Sequence, residues 1–260
     1  MLTASPHDPI LSRCRQPGQP RPRVLAVSTP RALSFGSVAR TYDRARASYP
    51  REAVHWVLEA RAGDGRRVLD LGAGTGRLSS VLLDLDLDVT AVEPDDAMRA
   101  LAPAGAKALA GTAEKVPLAD GSLDAVLVGQ AWHWFDHELA LSEVGRVLRP
   151  GGVLGLLWNV FDDRVPWVAE LMTVTASQDR LSARDEMPYV GAPLPERRTF
   201  PHTQAMTRDL LVDNLASRSA TVLMTPTDRE RFLRQVRDAA PADSFDLPWI
   251  CETWRARVPE

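Results

Sequence analysis

Hydrophobic residues recur along this chain in two alternating patterns, one of short apolar runs and one of apolar residues spaced three and four positions apart. Short apolar runs are typical of strands buried on both faces, and they occur at 67–71, 89–93, 106–110, 123–129 and 153–158. Helical spacing is typical of amphipathic helices, and it occurs at 50–62, 75–86 and 138–148. Strands that alternate with helices in this way predict an open α/β sheet with mostly parallel strands.

The pattern is weaker after residue 159. Helices are predicted at 165–178, 209–216 and 228–239, and further strands at 199–206 and 245–257. Pro248 indicates that part of the last strand lies at a sheet edge, because proline donates no ladder hydrogen bond. Proline, glycine and charged residues are frequent at 179–198, which predicts a loop or insertion over the rim of a site. The two added strands bring the expected sheet to seven.

Composition places the chain among ordinary globular proteins. Apolar residues make up 45% of it and charged residues 25%, and the net charge is −3. That balance provides no basic field for nucleic acid, and no apolar run approaches the ~18 residues of a membrane span. The two cysteines, Cys14 and Cys251, are far apart, which fits a reducing compartment. We therefore expect a cytoplasmic protein with no metal, nucleic-acid or membrane partner.

The first 33 residues differ from the rest because proline and arginine dominate them. Such a segment buries too little apolar surface to offset the entropy of ordering. We expect residues 1–33 to be a disordered N-terminal extension, either native or the product of a start codon placed too far upstream. Residues 34–260 are then one domain, with a core at 50–160 and a C-terminal part, 161–260, that completes the sheet and the substrate rim.

An acid and three glycines, Asp70, Gly72, Gly74 and Gly76, separate the first predicted strand from the helix after it. Glycines allow positive φ and let a ligand approach the backbone, and ligands of such sheets lie beyond the carboxyl ends of the strands. The spacing departs from the dinucleotide pattern G-x-G-x-x-G because the third glycine comes one residue early. A carboxylate at Asp70 would repel a pyrophosphate and favour a cationic ligand.

At these residues the chain resembles class I S-adenosylmethionine (AdoMet)-dependent methyltransferases, whose first motif is acid-x-Gly-x-Gly-x-Gly. Leu-Arg-Pro-Gly-Gly at 148–152 extends the resemblance, which covers residues 35–160. The whole pattern looks like the small-molecule subgroup, methyltransferase type 11, that includes trans-aconitate methyltransferase-like enzymes. The resemblance implies a Rossmann-like sheet of seven strands with helices on both faces and the last strand antiparallel. It also implies AdoMet as cofactor and a small-molecule acceptor, a carboxylate or a hydroxyl.

The predicted cofactor site follows the carboxyl ends of the first four strands. An acid some 20 residues after the glycine turn, here Glu93, bonds a ribose diol in nucleotide-binding α/β folds. The resemblance implies that the loop after the third strand holds the adenine, with Thr112 where the family commonly has an acid. The candidate residues are Asp70, Gly72, Ala73, Gly74, Gly76, Glu93, Pro94, Met98, Thr112, Ala113, Glu114 and Gln130.

The predicted acceptor site centres on Trp132, His133 and Trp134 at the carboxyl end of the strand at 123–129. His133 is a candidate general base, or a residue that shapes the pocket through a backbone hydrogen bond. The segment at 35–50 resembles the family's lid over the donor. Arginines near the site suit an acidic acceptor. The candidate residues for lid and clamp are Tyr42, Arg46, Tyr49, Arg164 and Arg218.

Three alternatives remain open at this stage. The glycines and Glu93 partly fit an NAD(P)-dependent oxidoreductase. An AdoMet-binding module without catalytic activity would carry the same cofactor motif. RNA or protein is the alternative acceptor, and the acidic balance and the absence of an N/D-P-P-Y-type motif after 123–129 argue against it. The sequence is compatible with a monomer or a homodimer.

Overall fold

The computed structural model describes residues 45–175 and 195–258, and within them the chain forms one seven-stranded sheet. The strands are β1 (Arg67–Leu71), β2 (Asp88–Val92), β3 (Lys107–Leu109), β4 (Leu123–Gly129), β5 (Leu148–Phe161), β6 (Glu196–Thr207) and β7 (Ser244–Arg257). The helices are α1 (Arg51–Leu58), α2 (Arg77–Leu83), α3 (Asp96–Arg99), α4 (His137–Val147), α5 (Pro166–Thr175), α6 (Arg208–Ala216), α7 (Ser219–Val222) and α8 (Pro226–Ala239). A 3₁₀ turn, Trp132–Trp134, lies between β4 and α4.

The strand order is β3-β2-β1-β4-β5-β7-β6, and it confirms the predicted Rossmann-like α/β sheet. Strands β1 to β5 pair in parallel, whereas β7 is antiparallel to both β5 and β6. The chain runs outward from β1 through β2 to β3 and then returns to β4 on the other side of β1. Ligands of open α/β sheets bind where the strand order reverses in this way. The carboxyl ends of β1 and β4 are therefore where a site is expected.

Both faces of the sheet are covered, as the continuous apolar strands predict. In β1, Val68 packs with α1 and α2 on one face, whereas Leu69 and Leu71 pack with α4 on the other. Asp70 lies between these apolar neighbours on the α2 side, so its carboxyl group enters a core. A third apolar cluster joins α5, α6 and α8 to β7.

The predicted starts of β5 and β6 are wrong, and α1 ends at Leu58 rather than at residue 62. Strand β5 begins at Leu148 rather than Val153, because the Arg-Pro-Gly-Gly segment lies within the strand as a bulge. Leu123 pairs with Leu148 and the next pair is Ala125 with Val153, so three extra residues are accommodated on β5, with Gly151 at φ +74°. Residues 196–198 also belong to β6 rather than to the predicted loop.

The last strand of the chain lies inside the sheet, between β5 and β6, and β6 is the edge. Pro248 still has the local edge character that its missing donor predicts. The pairing with β5 ends at Trp249, one residue away, and the Pro248 carbonyl accepts from the Asp162 N–H beyond the end of β5. The predictions for 1–33, for Tyr42 and for 179–194 fall outside the described residues.

Candidate active site

The turn after β1 is shaped by three glycines with positive φ, at +69° for Gly72, +57° for Gly74 and +83° for Gly76. The N–H groups of Gly72 and Ala73 donate to the carbonyl of Val92 at 2.9 and 3.1 Å, which ties the turn to β2. A Cβ at Gly72 would lie 2.8 Å from the Ala131 Cβ, whereas a Cβ at Gly74 would meet nothing within 4 Å. Gly74 therefore leaves open space beside the backbone, as a ligand cradle requires.

Glu93 closes this turn from the end of β2. One carboxylate oxygen accepts from the Gly74 N–H at 2.8 Å and the other accepts from the Asp95 N–H at 2.9 Å. Burial raises the pKa of Glu93, and these two backbone bonds oppose the rise. Since each carboxylate oxygen has two lone pairs, both oxygens retain an acceptor position.

The Glu93-Pro94-Asp95 turn leads directly into α3. The Asp95 carboxylate caps this helix by accepting from the N–H groups of Ala97 and Met98. The Met98 side chain is buried at this helix. Pro94 is exposed, and its carbonyl lies within reach of the Arg99 guanidinium. The cap thus fixes the position of Met98, one of the predicted cofactor residues.

Asp70 is 1% exposed, and its carboxyl oxygen accepts a 2.6 Å hydrogen bond from the Ser79 hydroxyl of α2. Burial raises its pKa to about 7, against the effect of the bonds from Ser79. The carboxyl group therefore carries a proton in a large fraction of molecules near neutral pH. It holds α2 to β1, and a role in binding a cation stays a prediction.

The loop after β3 lies beside Glu93, whose N–H donates to the carbonyl of Leu109 at 3.1 Å. Thr112 forms an isolated bridge with Lys115, and Ala113 is buried against the sheet. A Glu114 carboxylate oxygen accepts from the Asp136 N–H at 2.9 Å, so this side chain links the loop to the start of α4. The loop therefore spans from β3 to α4 across the ends of the strands between them.

Strand β4 is followed by a strained residue, Gln130, with φ +59°. Its N–H donates to the Leu157 carbonyl and its side-chain amide donates to the Asn159 carbonyl, both at 2.9 Å. These bonds hold Gln130 in a conformation that non-glycine residues seldom adopt. The buried Tyr49 packs on the preceding residue, Gly129, where an added Cβ would overlap its hydroxyl.

Trp132 and His133 of the 3₁₀ turn lie in different surroundings. Trp132 is buried and stacks on His137 with ring centroids 5.3 Å apart, so it is a wall of the core. His133 packs on Trp134 at 4.7 Å, and in the part of the chain that the structure describes its Nδ1 has no hydrogen-bond partner. Burial, and next the positive charge of Arg46, lower the pKa of His133 to about 4. His133 is therefore neutral at physiological pH.

Residues 45–50, termed the strap here, carry Arg46 to this region. Two buried asparagine side chains hold the strap by its main chain. Asn214 donates to the Ala45 carbonyl at 2.7 Å, and Asn159 donates to the Ser48 carbonyl at 3.0 Å. The backbone of Arg46 is thereby fixed on both sides.

The two other candidate arginines differ in their surroundings. Arg218 lies 4.7 Å from the Phe161 ring centre and donates to the same Asn214 at 3.3 Å. Asn214 therefore connects Arg218 to the strap. Arg164 instead forms a two-pronged pair with Asp162, both bonds 2.7 Å, and its side chain is 70% exposed. This pair already neutralises Arg164, which makes it a poor clamp for an acidic acceptor.

Comparison with known proteins assigns the chain to a family. A family model described as a methyltransferase domain matches residues 69–156. An uncharacterised methyltransferase of Mycobacterium bovis is 44% identical over 242 residues, which cover 87% of this chain and 96% of that protein. The chain belongs to the methyltransferase family. The matched region contains the glycine turn, Glu93, the 3₁₀ turn and the Arg-Pro-Gly-Gly bulge, and this confirms the class I AdoMet-dependent resemblance.

Two more distant relatives of the methyltransferase cover different extents of it. A malonyl-[acyl-carrier protein] O-methyltransferase of Methylococcus capsulatus is 37% identical over 134 residues, 47% of this chain and 48% of that protein. The solved structure of a proposed type II methyltransferase from Anaeromyxobacter dehalogenans has a TM-score of 0.63 at 23% identity. It covers 83% of this chain and 99% of the other. At that identity the likeness supports the fold alone.

AdoMet is the expected cofactor of the methyltransferase, and the glycine turn fits it. Gly74 leaves open space beside the backbone, and Glu93 keeps acceptor positions of the kind that ribose hydroxyls need. In residues 45–175 and 195–258, no three His, Cys, Asp or Glu side chains lie together as metal ligands would. None of the helices in these segments has the length and apolar character of a membrane crossing.

Sequence reasoning missed three polar residues that shape the methyltransferase site. Asn159 and Asn214 hold the strap, and Arg146 of α4 binds the loop after β3. Asn159 had a signal, because it lies at the carboxyl end of the fifth strand, where the site was expected. Asn214 and Arg146 had none, since both act through main-chain carbonyls that every residue possesses.

Proposed function

We propose that the protein transfers the methyl group of AdoMet to a small carboxylate acceptor bound between the strap and the 3₁₀ turn. One observation carries this proposal: a neutral, half-buried His133 lies near the Arg46 cation, on a 3₁₀ turn whose flanking residues Ala131 and Phe135 lie against Gly72. The glycine turn and the segment around the 3₁₀ turn are in contact, because a Cβ at Gly72 would meet both Ala131 and Phe135, at 2.8 and 3.0 Å.

The low pKa of His133 favours a carboxylate over a hydroxyl acceptor. A hydroxyl must lose a proton during methylation, and a base with a pKa of about 4 is a weak one near neutral pH. A carboxylate is already ionised and needs no base. His133 then presents an uncharged ring nitrogen to the acceptor, and Arg46 and Arg218 orient the acceptor's carboxylate. The O-methyltransferase relative, whose name specifies a malonyl group, is consistent with a carboxylate acceptor.

AdoMet supplies, when bound, an electrophilic methyl group on a cationic sulfur. The chain's own contribution is to orient and to exclude water. Trp132 and Tyr49 are buried in the core beneath this region, and Asn159 and Asn214 fix the strap that carries Arg46. Orientation of two reactants contributes ~7–11 kcal/mol to lowering a barrier in favourable cases.

The test has two stages. Calorimetry with AdoMet and with NADH comes first, and we expect binding of AdoMet alone. A panel of small mono-, di- and tricarboxylates, each paired with its alcohol analogue, is then assayed for release of S-adenosylhomocysteine. We expect turnover of acids and not of the matched alcohols.

Variants connect this turnover to the site. Arg46→Gln and Arg218→Gln should raise the acceptor KM at least tenfold and leave the AdoMet Kd unchanged. The control is Arg231→Gln, which removes an exposed ion pair between positions i and i+3 on α8 and should change neither value. Absence of AdoMet binding, or equal turnover of alcohols with unaltered KM in both variants, would contradict the proposal.

A further inference from the structure

Arg146 of α4 makes five hydrogen bonds, three of which join α4 to the loop after β3. Its guanidinium donates to the carbonyls of Val116 and Leu118 at 2.9 and 2.8 Å. It also donates to both Glu143 carboxylate oxygens and to Asp120, each at 2.8 Å. All three guanidinium nitrogens thus have partners, which is unusual for a side chain 31% exposed.

Glu143 completes this cluster from the same helix. The Glu143 Oε2 atom, which accepts from Nη2 of Arg146, also accepts from the Val116 N–H at 2.8 Å. Val116 therefore bonds through both its N–H and its carbonyl, one to each member of the pair. The bond from Arg146 is the main cause that lowers the pKa of Glu143, so the pair is ionised at neutral pH.

The loop at 111–118 needs such support because it has little of its own. It contains a single bridge, between Thr112 and Lys115, and no helix. Isolated surface ion pairs contribute little to stability. This pair differs because its bonds reach main-chain groups of a segment whose other contacts are the packing of Ala113, Val116 and Leu118 and one bond from Glu114 to the start of α4.

We propose that Arg146, with Glu143, is a positioning residue for the donor: it fixes the loop at 111–118 so that the main chain of Thr112 and Ala113 meets the adenine of AdoMet. This inference rests on the proposed function, because it requires AdoMet in the site. Two contacts, one at each end of the loop, fix its position. Glu93 bonds to Leu109 at one end, and Arg146 holds Val116 at the other.

The experiment compares Arg146→Gln, Arg146→Lys and Glu143→Gln with the native protein, all at a temperature well below each Tm. We expect the AdoMet Kd to rise at least tenfold in Arg146→Gln. Lysine restores the charge and not the fork, so Arg146→Lys should recover only part of the affinity. Glu143→Gln retains an oxygen that accepts from the Val116 N–H, so its loss should be smaller.

A second measurement separates positioning from general stability. The Kd of N6-methyl-AdoMet, divided by that of AdoMet, reports how closely the loop contacts the adenine edge. We expect this ratio to exceed tenfold in the native protein and to fall toward one in Arg146→Gln. Amide hydrogen exchange at Val116 should also accelerate in the variant. The control is Arg231→Gln, which removes an ion pair of the same i, i+3 spacing remote from the loop.

Each outcome has one meaning. A native protein that binds no AdoMet would refute the proposed function. Native binding with an unchanged Kd and ratio in Arg146→Gln would overturn the positioning role and leave the proposed function intact. Complete recovery by Arg146→Lys would likewise overturn it, because the forked contact with two carbonyls would then be unnecessary.

Discussion

Replacement of Asp70 by asparagine should stabilise the unliganded protein above pH 6 while weakening its hold on AdoMet. The Asp70 carboxyl is buried beside apolar residues of β1, and its described partner is the Ser79 hydroxyl. Asparagine has nearly the same shape, and its amide oxygen accepts the same bond. The substitution therefore removes a titratable group without removing the contact that holds α2.

The expected size follows from proton linkage. Burial raises the pKa of Asp70 from 3.8 to about 7, so the folded protein binds a proton more tightly than the unfolded chain does. Stability from this group is complete below pH 4 and is lost as the pH rises toward 7. Over the interval from pH 5 to pH 8 the loss is about 3 kcal/mol, with each pH unit worth up to ~1.4 kcal/mol. Asp70→Asn should escape this loss.

The assay is urea unfolding followed by tryptophan fluorescence at half-unit steps from pH 5 to pH 8. We expect the native midpoint to fall relative to that of Asp70→Asn, with the largest change between pH 5 and pH 7. In calorimetry at pH 7.5, the native protein should bind AdoMet more tightly than Asp70→Asn does. Loss of a charge-assisted bond to the donor's cationic groups costs ~1.5–3 kcal/mol, or about ten- to a hundredfold in Kd.

Asp209→Asn is the control, since it removes a carboxylate from an exposed ion pair with Arg237 on α8. Such pairs contribute up to ~1 kcal/mol, so its midpoint should follow the native protein at every pH. If the urea midpoints of Asp70→Asn and the native protein change with pH in parallel, burial does not raise the pKa of Asp70. An unchanged AdoMet Kd would show that Asp70 does not contact the donor.

Four further substitutions test the rest of the site. Arg46→Gln should raise the pKa of His133 measured by NMR. The pKa should stay below 6.5, because burial is the larger cause of its lowering. An unchanged pKa would show that Arg46 does not lie near His133. Gly74→Ala should cost roughly 1–2 kcal/mol of stability because Gly74 has a positive φ, and it should weaken AdoMet binding more than tenfold. Gly129→Ala should cost roughly 1–3 kcal/mol of stability because its Cβ would overlap the Tyr49 hydroxyl, and it should leave AdoMet binding unchanged. Asn214→Ala should cost roughly 1–3 kcal/mol in urea unfolding, since it leaves a buried carbonyl unbonded, and an unaltered midpoint would exclude that bond.

The strands of the first half of the chain were predictable because burial on both faces leaves a continuous apolar run in the sequence. Strand β4 has the predicted bounds, Leu123 to Gly129. The glycine turn was predictable for a related reason, since positive φ at three alternate positions admits few residues other than glycine. Both features impose residue types at fixed local spacing, and local spacing is what a single sequence displays.

The remaining features depend on contacts that leave no such record. Asn214 bonds to a carbonyl 169 positions earlier in the chain, and any residue at position 45 would supply it. Arg146 binds two carbonyls in the same way. The segment Arg149–Gly152, which precedes the strand predicted at 153–158, is a bulge because the strand pairing with β4 continues on both sides of it. A glycine pair marks irregular backbone, but pairing with a neighbouring strand decides whether it is a turn or a bulge.

The charges of the site are divided between its two halves, and the division favours the proposed reaction. Glu93 lies at the glycine turn assigned to the donor, whereas Arg46 and Arg218 lie on the side assigned to the acceptor. Transfer from a cationic sulfur to a carboxylate cancels one positive and one negative charge. In a site that excludes water, the loss of two charges is favoured more than in bulk solvent. A hydroxyl acceptor would cancel no charge without a base, and the neutral His133, with its pKa of about 4, is poorly suited to be that base.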